Sequence, residues 1–405
     1  MTKIRVALSL LTILVVGVLG IFVSLYARGY RFNLKSFRFA PNGLLVVKSD
    51  PSGAQVFING ELKTATDTTI SLSPGVYDVE FRKDGFFAWR KRLQIDKEVV
   101  TQASTHLFKM VPALSPVTFS GSISPVPSND FTKIAYSVPA SATNNNGNSG
   151  GGLWVVDTVN LPLGFNREPR QITDGDMTGA VWQWSPDTRE IMLTTPLGVF
   201  ILDAGTFTAQ DKLVNITSKK DAVLIDWQKK ADLKLSAQLK NIDPQIGDIL
   251  KRKAKYLTFS PDETKLLYQA AAEAEIPTDI VKQLPGASTQ KQERKLVPEQ
   301  TYVYDIKEDR NFLVEENPNS LAVGSWQNSE VKRILAWFPT SGHLVMAEEG
   351  KVSIMDYDGT NREEIYTGSY ITPNAYPILS TDRILILTNL GASDSLPNLY
   401  AVTIK

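Results

Sequence analysis

Hydrophobic and polar positions change pattern three times along the chain. From Val6 to Tyr26 the sequence is apolar apart from Ser9, Thr12 and Ser24 and holds no charge. A helix of that length reaches about 30 Å, the hydrocarbon thickness of a bilayer. The pattern therefore predicts a membrane-spanning helix. From Leu44 onward, short runs alternate with turn residues. Leu44–Ser49, Ala54–Ile58, Thr68–Leu72, Val76–Phe81 and Phe86–Ile95 read as strands, and Ala103–Met110 is a candidate closing strand. Between them lie Asp50-Pro51-Ser52-Gly53, Asn59-Gly60, Ser73-Pro74-Gly75 and Lys83-Asp84-Gly85. Asn-Gly between alternating runs is a strong hairpin signal.

The third regime is a repeat. Ala180–Thr206 reads strand, turn, strand, turn, strand, with Trp184-Ser185-Pro186-Asp187 at the first reversal. Imperfect copies start at Pro127-Ser128-Asn129-Asp130, Phe259-Ser260-Pro261-Asp262, Trp337-Phe338-Pro339-Thr340 and Leu379-Ser380-Thr381-Asp382. Each turn is followed by an apolar run (Ile134-Ala135-Tyr136, Leu266-Leu267-Tyr268, Leu344-Val345-Met346, Ile384–Leu387) and then by a second strand. Four of the five copies end that second strand in Asp: Asp157, Asp203, Asp305 and Asp356. Apolar inner strands are expected where a sheet is buried on both faces. One such unit cannot cover its own faces, so the copies must stack around an axis, as in a β-propeller of about five or six blades. A sixth blade would have to come from Val111–Gly121 or Leu213–Lys229. The last copy stops short, and a strand near Val117-Thr118-Phe119 would complete it and close the ring.

Three inserts interrupt the repeat. Ser141–Gly152, SATNNNGNSGGG, has linker composition. Residues 230–255 are predicted helical, because Leu235, Leu239, Ile242, Ile246, Ile249 and Leu250 recur at helical spacing. Asp243-Pro244 supplies an N-cap and first turn for a second helix. Residues 270–300, with Pro277 and Pro285, read as a long loop. Inserts on a rigid scaffold are the expected place for a binding face. The helical insert is expected to cap the propeller or to dock a partner.

Charge sharpens the first regime. The first 42 residues hold Lys3, Arg5, Arg28, Arg31, Lys35 and Arg38 and no acidic residue, although the whole chain has a net charge of zero. The body is therefore mildly acidic, which argues against nucleic acid as a partner. A cleaved signal peptide would have a shorter apolar core and a small-x-small site, and Leu25-Tyr26-Ala27-Arg28 is a poor one. An uncleaved signal anchor is the favoured reading and a cleaved signal the alternative. Charge counting alone would place the C-terminal side inside, but long domains translocate largely regardless of charge. The expected arrangement is a single-pass protein of the cell membrane with a cytoplasmic N-terminus and an extracytoplasmic body. Tyr26, Tyr30, Phe32, Phe37 and Phe39 among basic residues suit a headgroup interface.

The strand-and-turn set Pro51-Ser52-Gly53-Ala54, Ile58-Asn59-Gly60, Leu72-Ser73-Pro74-Gly75-Val76-Tyr77 and Lys83-Asp84-Gly85-Phe86 resembles the PEGA domain, a small β-sandwich of bacterial and archaeal surface proteins. Ser52 replaces the usual glutamate, and Lys63-Thr64-Ala65-Thr66 stands where Gly-x-Thr-Pro is common. The repeats resemble the TolB-like (WD-like) propeller family. Val352–Gly368, VSIMDYDGTNREEIYTG, carries its third strand, Asp-x-Asp-Gly turn and outer strand. Thr188 and Glu263 take the place of the family's glycine after Ser-Pro-Asp. These resemblances imply a bacterial, membrane-anchored PEGA-domain protein with a C-terminal propeller. The layout they imply is a tip and anchor (1–30), a juxtamembrane linker (31–42), a PEGA-like sandwich (43–110) and a propeller (111–405) with inserts at 141–152, 230–255 and 270–300.

Chemistry is sparse. The absence of cysteine excludes disulfides, thiolate metal sites and cysteine nucleophiles. No His-Glu-x-x-His or Gly-Lys-Ser/Thr motif occurs, and the Gly-x-Ser-x-Gly spacing at Gly147–Gly151 falls in the linker-like insert rather than on a strand-to-helix turn. The two histidines, His106 and His343, are read as structural. Asp174-Gly175-Asp176 and Asp356-Tyr357-Asp358-Gly359 lack the spacing of a calcium loop and are read as turns. Trp154, Trp182, Trp184, Trp227, Trp326 and Trp337 are read as packing rather than a sugar platform. Arg82, Lys83, Arg90, Lys91 and Arg92 form a basic stretch that is either a solvated strand face or a contact for an anionic surface. No catalytic, metal or cofactor residue is assigned, no cofactor is expected, and ligand-binding residues stay open. The expected function is non-catalytic binding or scaffolding in the cell envelope, toward a protein, a peptide or cell-wall glycan. The alternative is a propeller enzyme of hydrolase or lyase type, or a regulator of an envelope peptidase.

Overall fold

The computed structural model describes the chain apart from residues 1, 28–29, 34–37, 141–149, 160–167, 279, 281–288, 320, 325 and 327–330. It comprises two compact units, Met1–Leu107 with Lys282–Gln290, and Phe108–Val281 with Lys291–Lys405.

The first unit opens on α1 (Thr2–Ala27), one uninterrupted helix. Its stretch Ala7–Ser24 has a mean hydropathy of 2.6 and none of it is buried by protein. By length and composition it can cross a membrane. A short hairpin, β1 (Tyr30–Asn33) and β2 (Arg38–Pro41), follows. Seven strands then form a sandwich: β3 (Gly43–Asp50), β4 (Gln55–Ile58), β5 (Glu61–Ala65), β6 (Thr68–Leu72), β7 (Gly75–Arg82), β8 (Trp89–Ile95) and β9 (Val100–His106). One sheet runs β6-β3-β9 and the other β5-β4-β7-β8. Alternation sets the faces: Leu45 and Val47 point into the core while Leu44 and Lys48 stay exposed. Val56, Ile58, Val79, Phe81, Trp89 and Leu93 answer from the opposite sheet. The closing strand lies earlier than expected, at Val100–His106, and pairs in parallel with β3. Strand β5 was not expected. It is a largely exposed edge, so it carries no apolar signal.

In the second unit, β10 (Ala113–Pro116) precedes sheet 1, made of β11 (Ile123–Pro127), β12 (Lys133–Val138), β13 (Gly152–Asp157) and β14 (Arg170–Asp174). Sheet 2 is β15 (Val181–Trp184), β16 (Glu190–Thr195) and β17 (Gly198–Asp203). Two helices follow, α2 (Lys220–Leu239) and α3 (Pro244–Lys253). Sheet 3 contains β18 (Ala254–Phe259) and β19 (Lys265–Ala270). A two-residue ladder of β20 (Ala274–Glu275) with β21 (Lys295–Leu296) intervenes before its outer strands, β22 (Thr301–Asp305) and β23 (Arg310–Glu315). Sheet 4 runs β24 (Leu321–Val323), β25 (Arg333–Trp337), β26 (His343–Glu348), β27 (Lys351–Asp356) and β28 (Glu363–Thr367). Sheet 5 is β29 (Ala375–Pro377), β30 (Arg383–Thr388), β31 (Asn398–Thr403) and, from the start of the unit, β10.

These are meandering sheets packed face to face, with the last completed by a strand from the beginning: a β-propeller. The five sequence copies correspond to these five sheets. The closing strand sits at Ala113–Pro116, just before the expected Val117-Thr118-Phe119, and pairs Leu114 with Val402. The N–H groups of Val117 and Thr118 still donate to the Leu399 carbonyl.

Neither candidate stretch for a further blade forms one. Val111–Gly121 is spent on closure. Leu213–Lys229 holds a 3-10 turn, Thr217–Lys219, and the first half of α2, so the helical insert begins at Lys220 rather than 230. From the 270–300 insert, Ile276 and Leu296 are fully buried against sheet 3. Most of the 141–152 insert, residues 141–149, lies outside the described residues.

Candidate functional site

Three local devices build the ring. The first is the repeated turn. Ser128, Ser185 and Ser260 each donate a side-chain hydrogen bond to the aspartate two residues on, at 2.7, 2.6 and 2.7 Å. Each serine oxygen also accepts the N–H of Lys133, Glu190 or Lys265 at 3.0 Å. The next position is left-handed: Phe131, Thr188, Glu263 and Ser341 have φ of 55°, 60°, 56° and 58°. Glycine would be unstrained there. The side chains present instead reach a neighbour. Thr188 Oγ1 donates to Asp130 at 3.1 Å, Ser341 Oγ accepts from the Asp262 N–H at 3.0 Å, and Glu263 accepts from Gln238 of α2 at 2.8 Å. Trp184-Ser185-Pro186-Asp187 is thus a blade turn.

The second device is an indole staple. Trp184 of β15 donates its Nε1–H to the Val126 carbonyl of sheet 1 at 2.9 Å, and Trp337 of β25 donates to Thr258 of sheet 3 at 2.8 Å. Both rings are buried, as are Trp182 and Trp227. Trp154, expected in the core, is only partly buried and donates to the Gly150 carbonyl.

The third device is the helical pair. Sheets 1 and 2 share a core, as do sheets 1 and 5 and sheets 3 and 4. On its other face sheet 2 meets α2: Met192 and Val199 pack with Trp227, flanked by Val223 and Leu224. Sheet 3 meets the end of α2 and α3: Leu266, Tyr268 and Tyr304 pack with Leu239, Ile246 and Leu250. The helices therefore occupy the wedge that a sheet would fill between sheets 2 and 3. They cover β16 and β17, but β15 contributes nothing to that core.

A cavity of about 600 Å³ opens among the first strands of sheets 1 and 2 and the segments that precede β25 and β29. Ser124 and Pro125 of β11, Val181–Gln183 of β15, Met192 and Thr194 of β16, Trp326, and Thr372–Asn374 before β29 line it. Among the described residues its lining has neutral polar, apolar and aromatic side chains and no charged one. The Trp326 ring is half-buried, edge-on to Phe131 and tilted against Tyr376, and its Nε1–H donates to the Pro373 carbonyl at 3.2 Å. Asn374 is held by Tyr376, whose hydroxyl donates to its Oδ1. Gln183 and Thr194 make no side-chain hydrogen bond among the described residues. Val181 in the lining is 64% exposed, Leu197 at the turn between β16 and β17 is 74% exposed, and Ile371, one residue before the lining Thr372, is 40% exposed.

The residues singled out by sequence lie elsewhere. His343 faces Asp356 across β26 and β27, as Lys133 faces Asp157 and Lys265 faces Asp305. It is buried, with Nδ1 2.7 Å from Thr340 Oγ1 and its ring edge-on to Phe108. His106 sits in the sandwich with Nδ1 3.2 Å from Asp50. Asp174 accepts from the Gln210 N–H, and Asp176 accepts from Thr178, whose hydroxyl lowers its pKa. Asp358 accepts from Thr360, and Asp356 from Asn361. All four cap turns. No group of three His, Asp or Glu side chains suited to a metal occurs among the described residues. In the basic stretch, Glu80 accepts from Arg82 at 2.6 Å and Arg90 at 2.8 Å, and Arg92 lies 3.4 Å from Asp78. That face is a mixed-charge ladder across β7 and β8.

The sandwich is also recognisable by family. Residues 42–110 match the PEGA domain. This PEGA domain is followed by the propeller, for which no curated protein matches the chain. Solved structures similar to the chain include a TolB from Agrobacterium tumefaciens (13% identity, 68% of this chain and 72% of that one, TM-score 0.21). TolB from Acinetobacter baumannii is similar at 12% identity, covering 81% of this chain and 60% of that one, with TM-score 0.18. Pyrococcus horikoshii acylaminoacyl peptidase shares 11% identity over 71% of this chain and 39% of that one, with TM-score 0.20. Their TM-scores are low, and the propeller architecture rests on the sheets and their closure.

Proposed function

We propose that this protein is a membrane-anchored, extracytoplasmic binding protein of the cell envelope. Helix α1 holds it in the membrane with its N-terminus in the cytoplasm. The PEGA domain is a non-catalytic module beside the anchor, and the propeller presents its axial mouth to a protein or glycan of the envelope. The observation that carries this reading is the cavity: it is preformed and bordered by exposed apolar side chains, and among the described residues its lining holds no charge. General acid–base or nucleophilic chemistry needs a titratable group within hydrogen-bond reach of the reacting atom. Binding needs an apolar pocket with a few placed polar groups. An exposed apolar rim around a pocket is itself a mark of an interaction site.

Photo-crosslinkers placed at Val181 and Leu197 in cells test it. A discrete adduct with an envelope protein or wall polymer is expected, and its absence at both positions removes the reading. External protease on cells stripped of outer layers should degrade the body. Full protection would reverse the orientation.

A further inference from the structure

Resting on the proposal that the axial mouth binds, we infer that the cavity is a site for a neutral oligosaccharide, lined by the face of β15 that α2 leaves uncovered. The cause is local. Sheets 1 and 2, 1 and 5, and 3 and 4 each share a core. Here Trp227 covers only Met192 and Val199, on β16 and β17. The matching face of the innermost strand, Val181 and Gln183, together with Thr194, is left open to the cavity.

The lining matches a sugar. Sugars present C–H faces, which pack on aromatic planes, and hydroxyls, which pair with amide and hydroxyl groups. The cavity offers the Trp326 ring, the Gln183 amide and the Thr194 and Ser124 hydroxyls. The Trp326 indole N–H is already committed to the Pro373 carbonyl, which fixes its ring plane. The Gln183 and Thr194 side chains have no protein partner among the described residues, so their hydrogen-bonding capacity is available. A phosphorylated, uronic or charged peptidic ligand would bring in a charge that no lining group among the described residues offsets. The volume of about 600 Å³ lies within the range of ordinary ligand sites and accepts a short oligosaccharide.

The test uses the full chain in a detergent without a sugar headgroup. Cellotriose and chitotriose are titrated by calorimetry, with the neutral peptide Gly-Ser-Gly as the competing class. Saturable one-to-one binding of at least one trisaccharide is expected. Its affinity should fall at least tenfold in both Gln183→Ala and Trp326→Ala, and be unchanged in Ile225→Ser on the exposed face of α2. Gln183→Glu adds a charge without removing bulk and should weaken binding similarly, which keeps the result readable if an alanine variant unfolds. No saturable binding of either trisaccharide, or binding unaffected by all three cavity variants, overturns the inference. If the crosslinkers at Val181 and Leu197 still capture a partner, or Gly-Ser-Gly binds, the binding reading stands without the sugar. If they capture nothing, both fall.

Discussion

At the turn after each inner strand, one residue decides between strain and contact. A non-glycine residue in the left-handed region costs roughly 1 kcal/mol. Glu263 recovers little of it, because its bond to Gln238 is solvent-exposed. Thr188 donates to Asp130, a charge-assisted bond of about 1.5–3 kcal/mol. Glu263→Gly should therefore raise the melting temperature by about 1–3 °C, whereas Thr188→Gly should leave it unchanged or lower it. Calorimetric scans of the two variants decide. The turn aspartates make the ring acid-sensitive. Burial would push the Asp130 carboxyl up, but hydrogen bonds from Ser128, Thr132 and Thr188 outweigh it and hold it below the ordinary range. Asp262 and Asp382 behave alike, and Asp187 is lowered chiefly by Ser185. A carboxyl lowered in the folded state adds stability above its unfolded pKa of about 4, and that stability is lost as pH falls through the folded value. Melting temperature should thus fall on acidification below about pH 4, and Asp130→Asn should flatten that fall.

At the scale of elements, α2 does the work of a sheet through few side chains. Trp227 is 5% exposed and covers Met192 and Val199, while Ile225 is 69% exposed. Trp227→Ala should cost about 3–5 kcal/mol, and Ile225→Ser less than about 0.5 kcal/mol, as read from urea midpoints. The same contrast explains what was legible. Strands were readable because each turn places serine and aspartate at fixed offsets before an apolar run such as Leu266-Leu267-Tyr268. α3 was readable because Asp243 caps it, accepting from the Gln245 N–H at 2.9 Å with Pro244 in the first turn. The start of α2 was not. A helix that buries Trp227 and Leu239 yet exposes Ile225 and Leu233 shows no continuous apolar stripe. The cavity was less legible still. Ser124, Gln183, Trp326 and Asn374 are far apart in sequence and meet only through ring closure. Gln183 is open because of what fails to cover it, which no motif records.

For the whole molecule, whether α1 is retained in a membrane governs where everything else can act. None of the span Ala7–Ser24 is buried, so water or lipid must face its apolar surface, and at a mean hydropathy of 2.6 lipid is far the better solvent. A central arginine costs about 2.5–3.5 kcal/mol in such a helix. One is tolerable in a span this apolar, but two adjacent ones should prevent stable insertion. Leu14→Arg with Val15→Arg should therefore move the protein from the membrane to the soluble fraction, while Ile4→Arg, outside the apolar core, should not. The uncleaved and cleaved alternatives separate in the same preparation. A retained anchor leaves the membrane-bound chain at its full 44.8 kDa, whereas signal cleavage would remove α1 and release the rest. An intact-mass measurement that finds the shorter species in the soluble fraction would turn α1 from an anchor into an export signal. The PEGA domain and propeller would then act free of the membrane.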